Sequence, residues 1–310
     1  MQKQDGISLS CGTCYTKLCN TRVYTSLQHS IAVALIVWHF TKDIKQTLSG
    51  LFHDIATPVF KHAVDFMNGD YKNQESTEEL TTEIISKSKE IMSFLNRDGI
   101  KIEEVCDYHI YPIADNDTPQ LSSDRLEYTF SNAIGKGLLN LQEIKEIYNS
   151  IEIQRNEEGI EEMGFRDIAE KFVKTMSILS SSYITNEIKL SMQFLADIMK
   201  KLVSKNIVTK SDLYKLSEKE IIEKIENCKE ENISECFKLW RNATHINESD
   251  VPVKDKYCVS VEGKMRYINP LVKSGDEYIR INKISNTAKE NIERALNFKT
   301  KKYAYLDFNF

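Results

Sequence analysis

The chain has 310 residues and a net charge of −5, from 41 basic and 46 acidic side chains. No Lys/Arg block stands out, which removes electrostatic support for nucleic-acid binding, and the longest apolar run, residues 31–38, is too short to span a bilayer. Seven scattered cysteines, an odd number, and no signal-peptide pattern at the start fit reduced thiols in a cytoplasmic protein.

Only 11 Gly and 5 Pro, with abundant Lys, Glu, Leu and Ile, predict a mostly α protein. Residues 1–21 carry no helical period and read as a loop. Cys11, Cys14 and Cys19 cluster there, but the nearest fourth zinc ligand, His29, has a better use below, so they read as ordinary thiols. A helix is expected over 24–42, and residues 31–40 are apolar on all sides, as for a helix buried in a core. Trp38, Phe40 and Phe52 read as core, and His39 and His245 as structural. A second helix should run from 43 to 56, where Thr57-Pro58 disfavours its continuation. A short helix then carries His62 and Asp65, and Asn68-Gly69-Asp70 makes a turn. Ser76 to Glu79 has the form of a capping box, predicting a helix to Leu95.

Another helix is expected over 102–109, followed by a polar loop over 111–120. Ser122 or Ser123 can cap the next helix, which carries Asp124, Tyr128 and Asn132. Residues 150–165 alternate and turn at RNEEG, a small β-hairpin. Helices follow over 166–181, 186–204, 211–228 and 234–242. After residue 247 the pieces KYCVSV, KMRYI and EYIRI read as strands, and 286–298 as a helix. The expected organisation is a helical core over 1–247 and a small α+β part over 248–310.

The chemistry centres on His53-Asp54. Buried polar pairs are costly unless something satisfies them, and a metal ion is the simplest candidate. Adjacent helical residues diverge by about 100°, so both can grip an ion only if other elements close the shell. His29 can supply a nitrogen and Asp124 an oxygen. Two imidazoles and two carboxylates suit Mn, Fe, Co, Ni or Zn, with Mg as an alternative. Such an ion lowers the pKa of water from 15.7 toward about 7 and polarises a phosphoryl oxygen.

The segments QHSIAVA, LFHDIATPVFKH and SSDRLEYTFSNA occur in the order and spacing of the HD-domain phosphohydrolases. The chain most resembles the branch of the dGTP triphosphohydrolases and the SAM-and-HD-domain dNTP triphosphohydrolases, over residues 20–135 and more loosely to about 230. The resemblance implies an HD-domain helical bundle, with metal ligands His29, His53, Asp54 and Asp124. It implies that His62 faces the phosphates, that Tyr128 packs on a sugar, that Asn132 stands where an aspartate meets the 3′-hydroxyl, and that Arg125 lies near the phosphates. Three positions depart from that branch. Thr57 replaces a catalytic His, Gln74-Glu75 replaces a His-Glu pair, and Ser26 replaces an Arg. His62 and His109 are then the remaining candidates for a general acid, and His109 could equally hold a second metal.

The expected function is metal-dependent hydrolysis of a nucleotide or related phosphate ester, with activated water attacking phosphorus and Asp54 helping to orient it. The alternative is a nucleotide-binding regulatory module with a weakened site. A third option is oxygenase chemistry at a di-iron site. No membrane or nucleic-acid partner is expected, the C-terminal part could serve homo-oligomerisation, and a shortened N-terminus would explain why only about twenty residues precede the first motif.

Overall fold

Thr25 starts the first long helix. Its hydroxyl accepts from the Gln28 amide, and the Gln28 side chain accepts from the Thr25 amide, a capping box that launches α1, Ser26–Thr41. The computed structural model describes residues 1–19, 23–72, 74 and 80–310. The expected cap over Ser76 to Glu79, and Glu75 of the Gln74-Glu75 pair, lie outside the described residues.

Asp43 caps α2, Ile44–Phe52, which pairs closely with α1. This helix ends four residues before the expected Ala56. The His53 ring takes the Gly50 carbonyl, and Thr57 bonds back to Asp54, so residues 53–56 form turns. Next come α3, His62–Asn68, closed by Gly69 at φ 83°, then α4, Thr81–Lys87, and α5, Lys89–Arg97. One helix was expected to reach Leu95; Ser88 divides it by capping α5 through the Ile91 amide. The helix expected over 102–109 is instead two short 3-10 turns, at 102–104 and 108–110. Ser122 caps α6, Ser123–Gly135, and α7 covers Leu141–Asn149.

The hairpin forms as expected. β1, Ile151–Arg155, pairs antiparallel with β2, Glu161–Phe165. After it come α8, Ala169–Tyr183, α9, Asn186–Ser204, α10, Lys210–Lys215, α11, Glu218–Glu226, and α12, Glu231–Asn242. The C-terminal elements are β3, Asn247–Ser249, β4, Tyr257–Val259, β5, Leu271–Ser274, β6, Glu277–Arg280, α13, Asn286–Leu296, and β7, Tyr303–Leu306. β5 lies parallel to β2, so hairpin and C-terminal strands make one sheet in the order β1-β2-β5-β6. The other sheet has the order β3-β7-β4. KMRYI was expected as a strand. It lies instead in an irregular strap, residues 260–270, between β4 and β5.

The fold is thus mostly α with two small sheets. One core gathers around α9, whose Leu190, Phe194, Leu195, Ile198 and Leu202 are all fully buried, against α3 and α12. Truncating such an aromatic, as in Phe194→Ala, costs about 3–5 kcal/mol. A second core joins α6 and α8 to the four-stranded sheet and α13. The expectation that α1 is buried all round is corrected. Val33 and Val37 are fully buried, but Ile31, Leu35 and Trp38 form an exposed stripe, so Trp38 is not core. Among the described residues, no helix is long and apolar enough to cross a membrane.

Candidate metal centre

Three helix ends converge on one point. His29 lies in the first turn of α1, its amide bonded to the Thr25 carbonyl. His53 follows the last residue of α2. Asp124 and Glu127 sit three apart at the start of α6, on one face of that helix. His29 Nε2 is 2.8 Å from Asp124 Oδ1 and 3.2 Å from His53 Nε2, and His53 Nε2 is 3.5 Å from Asp124 Oδ1. These three ligand atoms lie within 4.8 Å of one another, the only such metal-competent group among the described residues.

The partners behind the ligands fix their orientation. His53 donates Nδ1–H to the Gly50 carbonyl at 2.7 Å, which turns the Nε2 lone pair inward. His29 presents Nδ1 to the Glu127 carboxylate, whose other oxygen accepts from the Tyr24 hydroxyl at 2.8 Å. A metal-ligating imidazole backed by a carboxylate or carbonyl is the usual supporting arrangement, and the donor set suits a first-row divalent ion.

Two imidazole nitrogens 3.2 Å apart cannot face each other with bare lone pairs, so a cation belongs between them. Without a metal that cation is a proton. Burial works against charge on His29, but Glu127 and Asp124 overcome it and push its pKa up to about 10. His53 is likewise raised against burial, by Asp54 and Asp124. Asp124 is held well below the usual carboxylate range by both imidazoles, again against burial.

Asp54 stands slightly apart, its Oδ2 3.8 Å from His53 Nε2. It accepts from the Thr57 hydroxyl at 3.0 Å and from the Lys61 ammonium. Burial raises its pKa, but Lys61 first, then His53 and His29, bring it below the normal range. Lys61 is buried, and the backbone presenting it is strained, with φ +58° at Phe60 and +43° at Lys61. Beside this pair lies a cavity of about 40 Å³, bounded by His53, Asp54, Lys61, His62, Gln74 and Tyr108. That is room for an ion and a few waters. A wider groove of about 1040 Å³, lined in part by Tyr15, Lys17, Phe237 and Arg241, shares no residue with the cluster.

The other expected site residues divide. His62 bounds the cavity. Its Nδ1 is 2.9 Å from the buried Asp65, and its Nε2 is 3.3 Å from Arg266, so the ring accepts at Nε2 and donates at Nδ1. Burial lowers its pKa, and Arg266 adds to this while Asp65 opposes it. His109 lies outside the cavity wall, exposed, 2.9 Å from Asp107 and stacked on Tyr108. Arg125 binds the polar loop, reaching Thr118 Oγ1 at 2.6 Å and the Asn116 carbonyl. Tyr128 meets Tyr183 edge-on at 6.4 Å, and Asn132 donates to the Tyr128 carbonyl at 2.8 Å. Gln74 accepts from Arg266 at 2.7 Å.

Sequence reasoning missed four residues here. Glu127 could have been found, because it stands one turn beyond Asp124. Lys61 lay inside a quoted motif. Tyr108, beside His109, forms the wall in its place. Arg266 carried no signal.

No family model matches the chain. It is 24% identical over 286 residues to the uncharacterized protein YdhJ of Bacillus subtilis, covering 91% of this chain and 84% of that one. It is 23% identical over 127 residues to the metal-dependent phosphohydrolase cns2 of Cordyceps militaris, 41% of this chain and 36% of that one. Among solved structures it resembles a hypothetical protein from Aquifex aeolicus, with a TM-score of 0.65, 16% identity, and 99% and 89% of the two chains covered. It also resembles a phosphohydrolase from Bacteroides thetaiotaomicron, with a TM-score of 0.64, 12% identity, and 100% and 93% covered. At these identities the likenesses to the two solved structures show a shared fold.

Proposed function

We propose that the protein is a metal-dependent phosphohydrolase acting on a nucleotide or related phosphate ester. The observation that carries this is the convergence of His29, His53 and Asp124, with both imidazoles already oriented by Glu127 and Gly50. The relative named a metal-dependent phosphohydrolase supports it. His29, His53 and Asp124 would hold the ion, with Asp54 alongside. A divalent ion there supplies water activation near neutral pH and polarises a phosphoryl oxygen. The chain's own groups do the positioning. Glu127 and Tyr24 fix His29, Thr57 and Lys61 fix Asp54, and the narrow cavity limits water beside them.

A simple ester fits better than a triphosphate. The Thr57 hydroxyl is spent on Asp54, the Ser26 hydroxyl is buried without a partner, and Gln74 is spent on Arg266. None of the three supplies the histidines or arginine of the triphosphohydrolases. The test is a panel of nucleotides and simple phosphate esters, assayed with Mn, Co, Ni, Zn and Mg. The expected result is turnover that disappears in His53→Ala.

The Asp54–Lys61 pair also favours a second reading, a nucleotide-binding regulatory module. It already neutralises one of the four expected ligands without a metal. No turnover with any metal, together with nucleotide binding that His53→Ala leaves unchanged, would establish that reading instead.

A further inference from the structure

Lys61 bounds the small cavity, and Arg266, from a distant part of the chain, bonds two residues of its wall, His62 and Gln74; the hydrolase reading uses Lys61 only to fix Asp54 and gives Arg266 no task. Lys61 comes from the turn before α3. Its awkward backbone is held in place from outside: Glu218 Oε1 accepts the Phe60 amide at 3.2 Å, and the Val59 amide donates to the Leu213 carbonyl at 2.9 Å. A strained turn kept under such restraint is a mark of function.

Arg266 comes from the strap over 260–270, and that strap is pinned along its length. Gly263 lies so close to Ile184 that a Cβ there would stand 2.8 Å from the Ile184 Cγ2. The Ser180 hydroxyl donates to the Arg266 carbonyl. Ile268 is buried in the second core, and the Asn269 amide donates to the Pro119 carbonyl at 2.8 Å. The backbone is fixed on both sides of the arginine while its guanidinium rests against His62 and Gln74, two residues of the cavity wall.

The acceptors of Arg266 are the telling feature. Its guanidinium donates to Gln74 Oε1 and His62 Nε2, both neutral, and among the described residues no carboxylate pairs with it. Lys61 has Asp54, but Asp54 is also an expected metal ligand. An ion that engages Asp54 competes with Lys61 for that carboxylate and leaves the ammonium in need of another anion. Arg266 therefore meets only neutral acceptors, and Lys61 relies on a carboxylate that a bound ion would also use. The planar fork of an arginine and the point charge of a lysine are the standard pair for phosphate oxygens.

We propose that Lys61 and Arg266 form a clamp for a terminal phosphoryl group, so that the site takes a phosphomonoester dianion in preference to a diester monoanion. Lys61 exchanges the Asp54 carboxylate for a phosphoryl oxygen, and Arg266 exchanges Gln74 and His62 for the same group. This rests on the phosphohydrolase reading, yet it is tested by binding without turnover.

The full chain, loaded with Mn²⁺, is titrated calorimetrically with inorganic phosphate and with dimethyl phosphate, and metal-free protein is titrated with Mn²⁺. Phosphate should bind at least about ten-fold more tightly than dimethyl phosphate. Arg266→Gln and Lys61→Met should each weaken phosphate by about ten-fold or more, with Mn²⁺ affinity in Arg266→Gln within about two-fold of the parent. Phosphate affinity unchanged in Arg266→Gln, or dimethyl phosphate bound as tightly as phosphate, overturns the clamp. Should Lys61→Met fail to fold, Arg266→Gln decides alone, since its side chain is only partly buried. If no ester is turned over but phosphate binding behaves as stated, the hydrolase reading fails and the clamp stands. If turnover persists while phosphate binding ignores both variants, the reverse holds.

Discussion

The two halves of the site are built differently. The half that groups His29, His53 and Asp124 stands on the ends of α1, α2 and α6, where capping and helical spacing fix the side chains: Thr25 starts α1, Ser122 starts α6, and Asp124 and Glu127 share a face. The cationic half stands on irregular backbone, a strained turn at Phe60–Lys61 and a strap pinned at Gly263 and Arg266. Regular structure positions a ligand by its own periodicity. Irregular structure must borrow its rigidity from neighbours, here Glu218 under the turn and Ser180 and Ile184 under the strap. The first half should therefore respond to the loss of a ligand, and the second to the loss of a support.

The largest effect is expected at the junction of the helices. Asp124→Ala removes the oxygen that faces both imidazoles and leaves two buried imidazoles without it. Metal content by elemental analysis should fall to background, and the turnover proposed above should vanish with it. Full metal occupancy in this variant would show that Asp124 is not a ligand.

Next in size is a pH effect on the cationic half. Burial raises the Glu218 carboxyl from 4.5 to about 7, although Tyr15 and the Phe60 amide favour its charged form. The folded state thus holds this proton more tightly than the unfolded state. Stability from this group is greatest below pH 4.5, is lost as the pH rises toward 7, and is flat above. Across that window the loss is at most about 3 kcal/mol. Glu218→Gln should remove the slope, so urea unfolding of parent and variant should diverge with pH. Parallel curves from pH 4.5 to about 8 would contradict the assignment.

Smaller again is Glu127→Gln, which keeps the shape behind His29 but removes the charge. Losing a partner behind a ligand typically costs about 10–100-fold in metal affinity, about 1–3 kcal/mol. Calorimetric Mn²⁺ titration should show that loss with an unchanged fold. An affinity equal to the parent's would mean that His29 needs no carboxylate behind it.

The contrast between the halves also explains what could be read from residues alone. The grouping of His29, His53 and Asp124 could be anticipated from the His53-Asp54 pair and the order and spacing of three short segments, and the hairpin at 150–165 because its partners are local. The end of α2 was misplaced because His53 itself takes the Gly50 carbonyl, a use of the side chain that no periodicity reports. Trp38 was misread because its exposure depends on which face of α1 the neighbouring helices cover. The parallel pairing of β2 with β5 joins residues 164 and 271, which no local pattern connects. Arg266 lay in a segment that reads as a strand, and only the strap's anchors bring it to His62.

The smallest effect is the sharpest probe of that strap. Gly263→Ala adds one carbon that would stand 2.8 Å from the Ile184 side chain, too close without a shift of the strap or of the start of the loop that follows α8. Such overpacking costs about 1–3 kcal/mol, and at this partly exposed position the lower end applies, a few degrees in melting temperature. The half built on His29, His53 and Asp124 shares no element with the strap, so Mn²⁺ affinity should stay within about two-fold while inorganic phosphate binds more weakly. Equal losses in both titrations would mean that the two halves move as one body, and that the helix ends depend on the strap after all.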